Sequence, residues 1–233
     1  MNRTIIALDF QTKQETLKFI DLFKSPTYFK VGMELFYKEG IEIIKEIKKR
    51  GHQVFLDLKI CDIPNTAKGA FKSLANLNVD MLNLHIFGGS EMIKQALEGL
   101  KEGCNNKKSP LVIGVTILTS INQEILNNEI GINKSILQAA LDFAKLGKKS
   151  GLNGVVCSAF ETKKIHETLG KDFLTICPGI RLANNSKGDQ KRVATPSFAK
   201  EEGCDYIVVG RAITKASDPY KTYLEIRKEF EGE

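Results

Sequence analysis

The chain has 233 residues, of which 42% are hydrophobic and 27% charged, with a formal net charge of +6. That composition is ordinary for a globular protein and excludes a disordered or low-complexity chain, and the length suits one α/β barrel, or two small domains, better than a sandwich. With 8% aromatic residues and no tryptophan the composition gives poor support for a stacking platform for nucleic-acid strands, and no uncharged apolar run reaches the roughly 18 residues that a membrane span requires.

Met1 to Asp9 runs straight into a strand pattern, with no signal peptide. Thr4 to Leu8 is the first predicted strand and Thr12 to Phe23 its helix. Tyr28 to Val31 is the second, followed by a helix from Met33 to Arg50 with Ile41, Ile44 and Ile47 on one face and Gly51 as its stop. Gln53 to Leu58 and Pro64 to Leu77 form the third pair. Asp80 to Leu84 is the fourth strand, with a helix after Gly88-Gly89. Leu111 to Leu118 and Lys134 to Leu146 form the fifth pair, Gly154 to Cys157 and Ala159 to Thr168 the sixth. Phe173 to Ile176 is the seventh strand. The polar stretch from Arg181 to Lys191 then leads to a helix from Pro196 to Glu202. Tyr206 to Val209 is the eighth strand, and a helix after Asp218 closes the chain. Eight short, continuously apolar strands alternating with helices predict a single (β/α)8 (TIM) barrel. A doubly wound open sheet is the alternative.

The basic runs Lys48-Lys49-Arg50 and Lys148-Lys149 end helical patterns, where they complement the helix dipole. The five cysteines are scattered without a CxxC pair and read as reduced thiols of a cytoplasmic protein, neither disulfides nor a zinc site. His52 and His166 fall on predicted surface, and the three histidines offer no metal triad.

Barrels of this kind carry their sites at the carboxyl ends of the strands. Asp9, Lys30, Asp57, Lys59, His85, Thr119, Ser158, Arg181, Gly210 and Arg211 all stand there. On the third strand Asp57 and Lys59 point the same way by the period of two, into the barrel if Phe55 is internal. Charges buried there must pair. Lys30, on the adjacent strand, and Asp62, just beyond, can reach the same space, giving a cluster of two lysines and two aspartates. Spacing alone leaves a structural ion pair equally open, and Asp62 could cap the helix that begins at Pro64. Pro178-Gly179-Ile180-Arg181, Gly188-Asp189-Gln190 and Val209-Gly210-Arg211 follow strands seven and eight, where phosphate sites are usual; the arginine forks and the glycine backbone suit an anion. Thr116 and Thr119 could bond a base edge or simply finish a strand.

These motifs, together with Leu8-Asp9, Lys30-Val31-Gly32, the segment Asp57-Leu58-Lys59-Ile60-Cys61-Asp62-Ile63-Pro64-Asn65-Thr66 and Val115-Thr116-Ile117-Leu118-Thr119-Ser120, resemble the orotidine 5′-phosphate decarboxylase family in order and spacing along the whole chain. The resemblance implies a homodimer with active sites at the interface, a nucleotide substrate and no cofactor or metal. It implies that Lys59 protonates C6 of the pyrimidine, that Asp57 sits beside the departing carboxylate, and that Lys30 pairs with the aspartates and approaches the ribose. Asp62 and Thr66 would serve the neighbouring chain's site, and Ile63 would bind substrate. Asp9 would bind ribose hydroxyls, Thr119 the pyrimidine, and Arg181, Gln190, Gly210 and Arg211 the phosphate. Leu182-Ala183-Asn184-Asn185 departs from the family's usual proline and glycine, which bears on a closing loop from Leu182 to Asp189. Three rivals are a magnesium-dependent sugar-phosphate decarboxylase of the 3-keto-gulonate 6-phosphate type, a Schiff-base aldolase using Lys59, and a non-catalytic binding module.

Overall fold

The computed structural model describes residues 2–105, 108–182 and 193–232. From the N-terminus these form β1 (Thr4–Ala7), α1 (Lys13–Ile20), β2 (Tyr28–Gly32), α2 (Met33–Glu39), α3 (Ile41–Lys49), β3 (Gln53–Ile60), α4 (Pro64–Leu74), β4 (Met81–His85) and α5 (Gly89–Cys104). There follow β5 (Leu111–Val115), α6 (Ile136–Lys149), β6 (Gly154–Val156), α7 (Ala159–Leu169), β7 (Leu174–Cys177), α8 (Pro196–Glu201), β8 (Tyr206–Val209), α9 (Arg211–Thr214) and α10 (Pro219–Glu231). The strands pair in sequence order, all parallel, and β8 returns to β1 with Val208 opposite Ile5, which closes a (β/α)8 barrel. Among the described residues no helix is long and apolar enough to cross a membrane.

Alternation along each strand builds two cores. Ile5, Ala7, Tyr28, Phe55, Met81, Ile113, Ile176, Tyr206 and Val208 point inward and fill the barrel. Their sequence neighbours, such as Ile6, Phe29, Val54 and Leu56, point outward into the larger layer beneath the helices. The inward column continues upward as Lys30 above Tyr28 and Asp57 above Phe55, so the polar site begins where the apolar plug ends.

Several expected boundaries move. The helix from Met33 to Arg50 is two helices, because Gly40 adopts φ 64°, a conformation open to glycine that breaks the hydrogen-bond ladder. Ile41, on the far side of that break, is 46% exposed, whereas Ile44 and Ile47 are fully buried. The fifth strand stops at Val115, and one π-helical turn, Ile125–Glu129, follows in its loop. His52 is not on the surface: it is 4% exposed, and its Nδ1 accepts the Thr27 N–H at 3.2 Å. His166 is likewise mostly covered, with Nε2 3.2 Å from Asp205. The helix after Asp62 is capped at Ile63, not Asp62, whose Oδ1 accepts the adjacent Ile63 N–H at 2.7 Å.

Candidate active site

A cavity of about 350 Å³ opens at the carboxyl end of the barrel, a volume within the usual range for small-molecule sites. Its floor is the top of the inner core: Ala7, Phe55, Val156, Ile176 and Val208. Asp9, Lys30, Asp57 and Lys59 line it from β1 to β3, and Arg181, Gly210 and Arg211 line it from the ends of β7 and β8, with Gly210 beside Asp9. Thr119 and Ser120, from the loop after β5, line it as well.

The charged wall is an alternating row. Lys59 Nζ lies 2.7 Å from Asp57 Oδ1, and Lys30 Nζ lies 3.3 Å from Asp57 Oδ2 and 3.5 Å from Asp9 Oδ1. Gly32 leaves room for it, since a Cβ there would sit 3.2 Å from Lys30 Nζ. Burial raises the cost of ionising Asp57, but Lys30, Lys59 and the hydrogen bonds it accepts prevail and hold its pKa below the ordinary carboxylate value. Burial likewise opposes the Lys30 ammonium, and the carboxylates of Asp57 and Asp9 outweigh it, so its pKa lies above the ordinary lysine value. Each ion is thus kept charged by its neighbours on an apolar floor.

Lys59 reaches this row by a bulge. The β3–β4 register slips between Leu56 and Ile60, and Lys59 takes φ 49°. Asn83 of β4 fastens the bulge: its Oδ1 accepts the Lys59 backbone N–H at 2.7 Å, and its Nδ2 donates to Asp57 Oδ1 at 2.6 Å. Sequence reasoning passed over Asn83. The available signal was one amide in the middle of an apolar strand, two residues before His85.

The second aspartate of the row within one chain is Asp9. Asp62, Ile63 and Thr66 are exposed and do not line the cavity. Gln190 and the segment 183–189 lie outside the described residues. Gly179 adopts φ 80°, turning the chain after β7 so that Arg181 faces the cavity. Thr116 and Ser158 do other work: the Thr116 hydroxyl donates to the Val156 carbonyl at 2.9 Å, and Ser158 forms a capping box with Glu161 on α7. His85 lines a neighbouring apolar pocket with Cys61 and Phe87, and its Nδ1 is buried without a partner among the described residues. Burial, and then Lys59, push its pKa below the ordinary histidine value. Among the described residues no group of three or more His, Cys, Asp or Glu side chains is placed to hold a metal ion.

Fold and site together define a (β/α)8 barrel with a lysine–aspartate row at its mouth. A family model described as "Orotidine 5′-phosphate decarboxylase / HUMPS family" matches residues 2–226. A Bacillus mycoides protein named orotidine 5′-phosphate decarboxylase is 53% identical over 230 residues, covering 98% of this chain and 97% of its own. A crystal structure of orotidine 5′-phosphate decarboxylase from Lactobacillus acidophilus superposes with a TM-score of 0.88 at 43% identity, over 99% of both chains. An uncharacterized conserved protein from Geobacillus kaustophilus superposes with a TM-score of 0.87 at 42% identity, over 97% of this chain and 99% of that one. The chain belongs to the orotidine 5′-phosphate decarboxylase / HUMPS family.

Proposed function

We propose that this protein decarboxylates orotidine 5′-phosphate to uridine 5′-phosphate and carbon dioxide, a step of pyrimidine biosynthesis, without a cofactor. The observation that carries the reading is the Lys59–Asp57–Lys30–Asp9 row sharing one cavity with Arg181 and Arg211, in a chain 53% identical to a relative of that name.

The C6–carboxyl bond breaks and leaves its electron pair on an sp² carbon with no adjacent sink. Many decarboxylases borrow a sink from a cofactor; here the stabilisation falls to fixed charge. The Lys59 ammonium, held 2.7 Å from Asp57, faces the developing negative charge and then transfers its proton to C6. The amine left behind regains a proton from solvent. Asp57 stands beside the departing carboxylate, Lys30 and Asp9 receive the ribose hydroxyls, and Thr119 meets the pyrimidine. Arg181, Gly210, Arg211 and Gln190 bind the phosphate, so that binding energy remote from C6 assists the chemistry.

The active unit in this reading is a homodimer. Ile63 and Phe87 are 69% and 68% exposed around the exposed Asp62, a surface that a second copy would cover while presenting Asp62, Ile63 and Thr66 to the neighbouring cavity. The five cysteines are all free, which fits a reducing, cytoplasmic setting.

The test follows loss of the ultraviolet absorbance of orotidine 5′-phosphate with wild type and Lys59→Ala, with and without EDTA. Turnover by the wild type, insensitive to EDTA and abolished in the variant, is expected. No turnover by the wild type, or equal turnover by the variant, overturns the reading. Mixing Lys59→Ala with Asp62→Ala should restore activity that neither variant has alone, because a mixed dimer holds one site free of both changes.

A further inference from the structure

We propose that Asn83 is a positioning residue for this reaction, one that fixes the spacing and orientation of the Asp57–Lys59 pair; the inference rests on Lys59 being the proton donor.

Asn83 is 1% exposed, at the level of β4 where its inward neighbours change from apolar to polar. Its two polar atoms have different tasks. The Lys59 backbone N–H can only donate, so the atom that receives it at 2.7 Å must be the amide oxygen. The amide nitrogen then faces Asp57 Oδ1 at 2.6 Å, the same oxygen that Lys59 Nζ contacts at 2.7 Å. One rigid amide thereby holds the main chain at Lys59 and the carboxylate that Lys59 pairs with.

The bulge explains why such a clamp is needed. A lysine at φ 49° places its Cβ against the following carbonyl, a conformation residues other than glycine avoid. Without a partner for the Lys59 N–H, the left-handed backbone at Lys59 loses the contact that fixes it, and the position of the ammonium against Asp57 is no longer set. The clamp requires a donor and an acceptor on one short planar fork. Serine is too short to hold both contacts, and an ionised carboxylate would set like charges against each other at the Asp57 contact.

The charged groups around Asn83 come from three sides. Asp57 and Lys59 face it from β3, Lys30 of β2 and Asp9 lie beyond Asp57, and His85 follows on β4 itself. The inward residues of β5, Ile113 and Val115, carry no charge.

The experiment compares wild type, Asn83→Ala and Asn83→Asp in kcat and KM for orotidine 5′-phosphate across pH. Equilibrium binding of uridine 5′-phosphate and thermal melts run alongside. Asn83→Ala is expected to lose on the order of a hundredfold in kcat, while KM and product affinity stay within about threefold. Asn83→Asp should recover toward wild type as pH falls. Its protonated carboxyl can still donate to Asp57 and accept from Lys59, and its ionised form cannot donate. Its kcat should therefore fall with rising pH more steeply than that of the wild type.

Wild-type kcat in Asn83→Ala, or a kcat loss matched by an equal loss of product affinity, overturns the positioning role. So does an Asn83→Asp profile of wild-type shape. If Asn83→Ala does not fold, the Asn83→Asp profile decides alone. Should the wild type fail to turn over orotidine 5′-phosphate, the proton-donor reading falls and this inference with it; turnover by the wild type with unaffected Asn83 variants removes this inference only.

Discussion

Replacing Asp57 with asparagine should do more than stop catalysis: it should reverse the way stability responds to alkali. Asp57 is 7% exposed and stands between Lys59 at 2.7 Å and Lys30 at 3.3 Å. At an effective dielectric of about 20, the Lys30 contact alone is worth about 5 kcal/mol of Coulomb energy, partly offset by the several kcal/mol that burying the carboxylate costs. Lys59, 28% exposed, can turn toward water when its partner is lost, but Lys30, 13% exposed, cannot. Lys30 keeps only Asp9, itself 57% exposed, at 3.5 Å. The loss has a ceiling, because Lys30 can shed its proton instead. From an unfolded pKa of about 10.4 to pH 7, that costs about 4.6 kcal/mol. Asp57→Asn should therefore lose about 3–4 kcal/mol at pH 7. In the wild type the raised Lys30 pKa contributes stability that is full below about pH 10.4 and is lost as pH rises through the folded value. In the variant only the half-exposed Asp9 is left to oppose burial, and the folded pKa drops below the unfolded one, so stability is regained as pH rises toward about 10. Urea unfolding followed by circular dichroism at pH 7 and about pH 9.5 measures both quantities. A deficit under about 1 kcal/mol at pH 7, or one that does not shrink with alkali, would refute the reasoning.

Arg211→Ala should lower kcat/KM for the nucleotide about 10- to 150-fold, the worth of a charge-assisted hydrogen bond; steady-state kinetics unchanged within about twofold would remove Arg211 from the phosphate end. Gly99→Ala should cost about 1–3 kcal/mol and a Tm drop of several degrees, because the new Cβ would lie 2.1 Å from the Lys68 carbonyl oxygen and force α5 away from α4; a wild-type melting curve would contradict that packing. Burial holds the His52 pKa below its unfolded value, so its contribution is present above about pH 6.5 and lost as pH falls through the lower folded value. His52→Asn, which keeps an acceptor for the Thr27 N–H, should flatten the acid limb of a stability profile, and an unchanged limb would show that His52 does not titrate there.

What could be read in the chain was what depends on local pattern. The eighth strand, Tyr206–Val209, and the last helix after Asp218 stand where they were predicted, since each apolar run is bounded by turn residues or a cap. The helix from Met33 to Arg50 was legible as helix but not as two, because apolar spacing says nothing of the positive φ at Gly40. Alternation placed Asp57 correctly beside Phe55 and reached the right side for Lys59 for an incomplete reason: a bulge intervenes, and strand period cannot foresee one. Asn83 was hidden because a buried amide in an apolar run has no sequence signature until its partner on another strand is known. The same holds for Cys157, Cys177 and Cys204. Scattered in sequence, they converge on the Thr162 hydroxyl, with sulfurs at 3.9, 3.2 and 3.3 Å.

The charged row and the apolar plug beneath it are one device. Lys30 rises from the column of Tyr28, Asp57 from that of Phe55, and Asn83 from that of Met81, so three adjacent strands change from apolar to polar one inward step apart. A floor of Phe55, Ile176 and Val208 excludes water from below, and in that medium an unpaired ion is costly while a paired one is held firmly. The order lysine–aspartate–lysine–aspartate is the arrangement in which every buried charge has an opposite neighbour. In the proposed reaction the row would therefore meet substrate already oriented, with little reorganisation left to the chemistry. Lys59 stands at its open end, with one carboxylate behind it and the cavity in front. In the proposed reaction that is the place for a proton donor, because within one chain Lys59 has Asp57 as its sole carboxylate neighbour among the described residues.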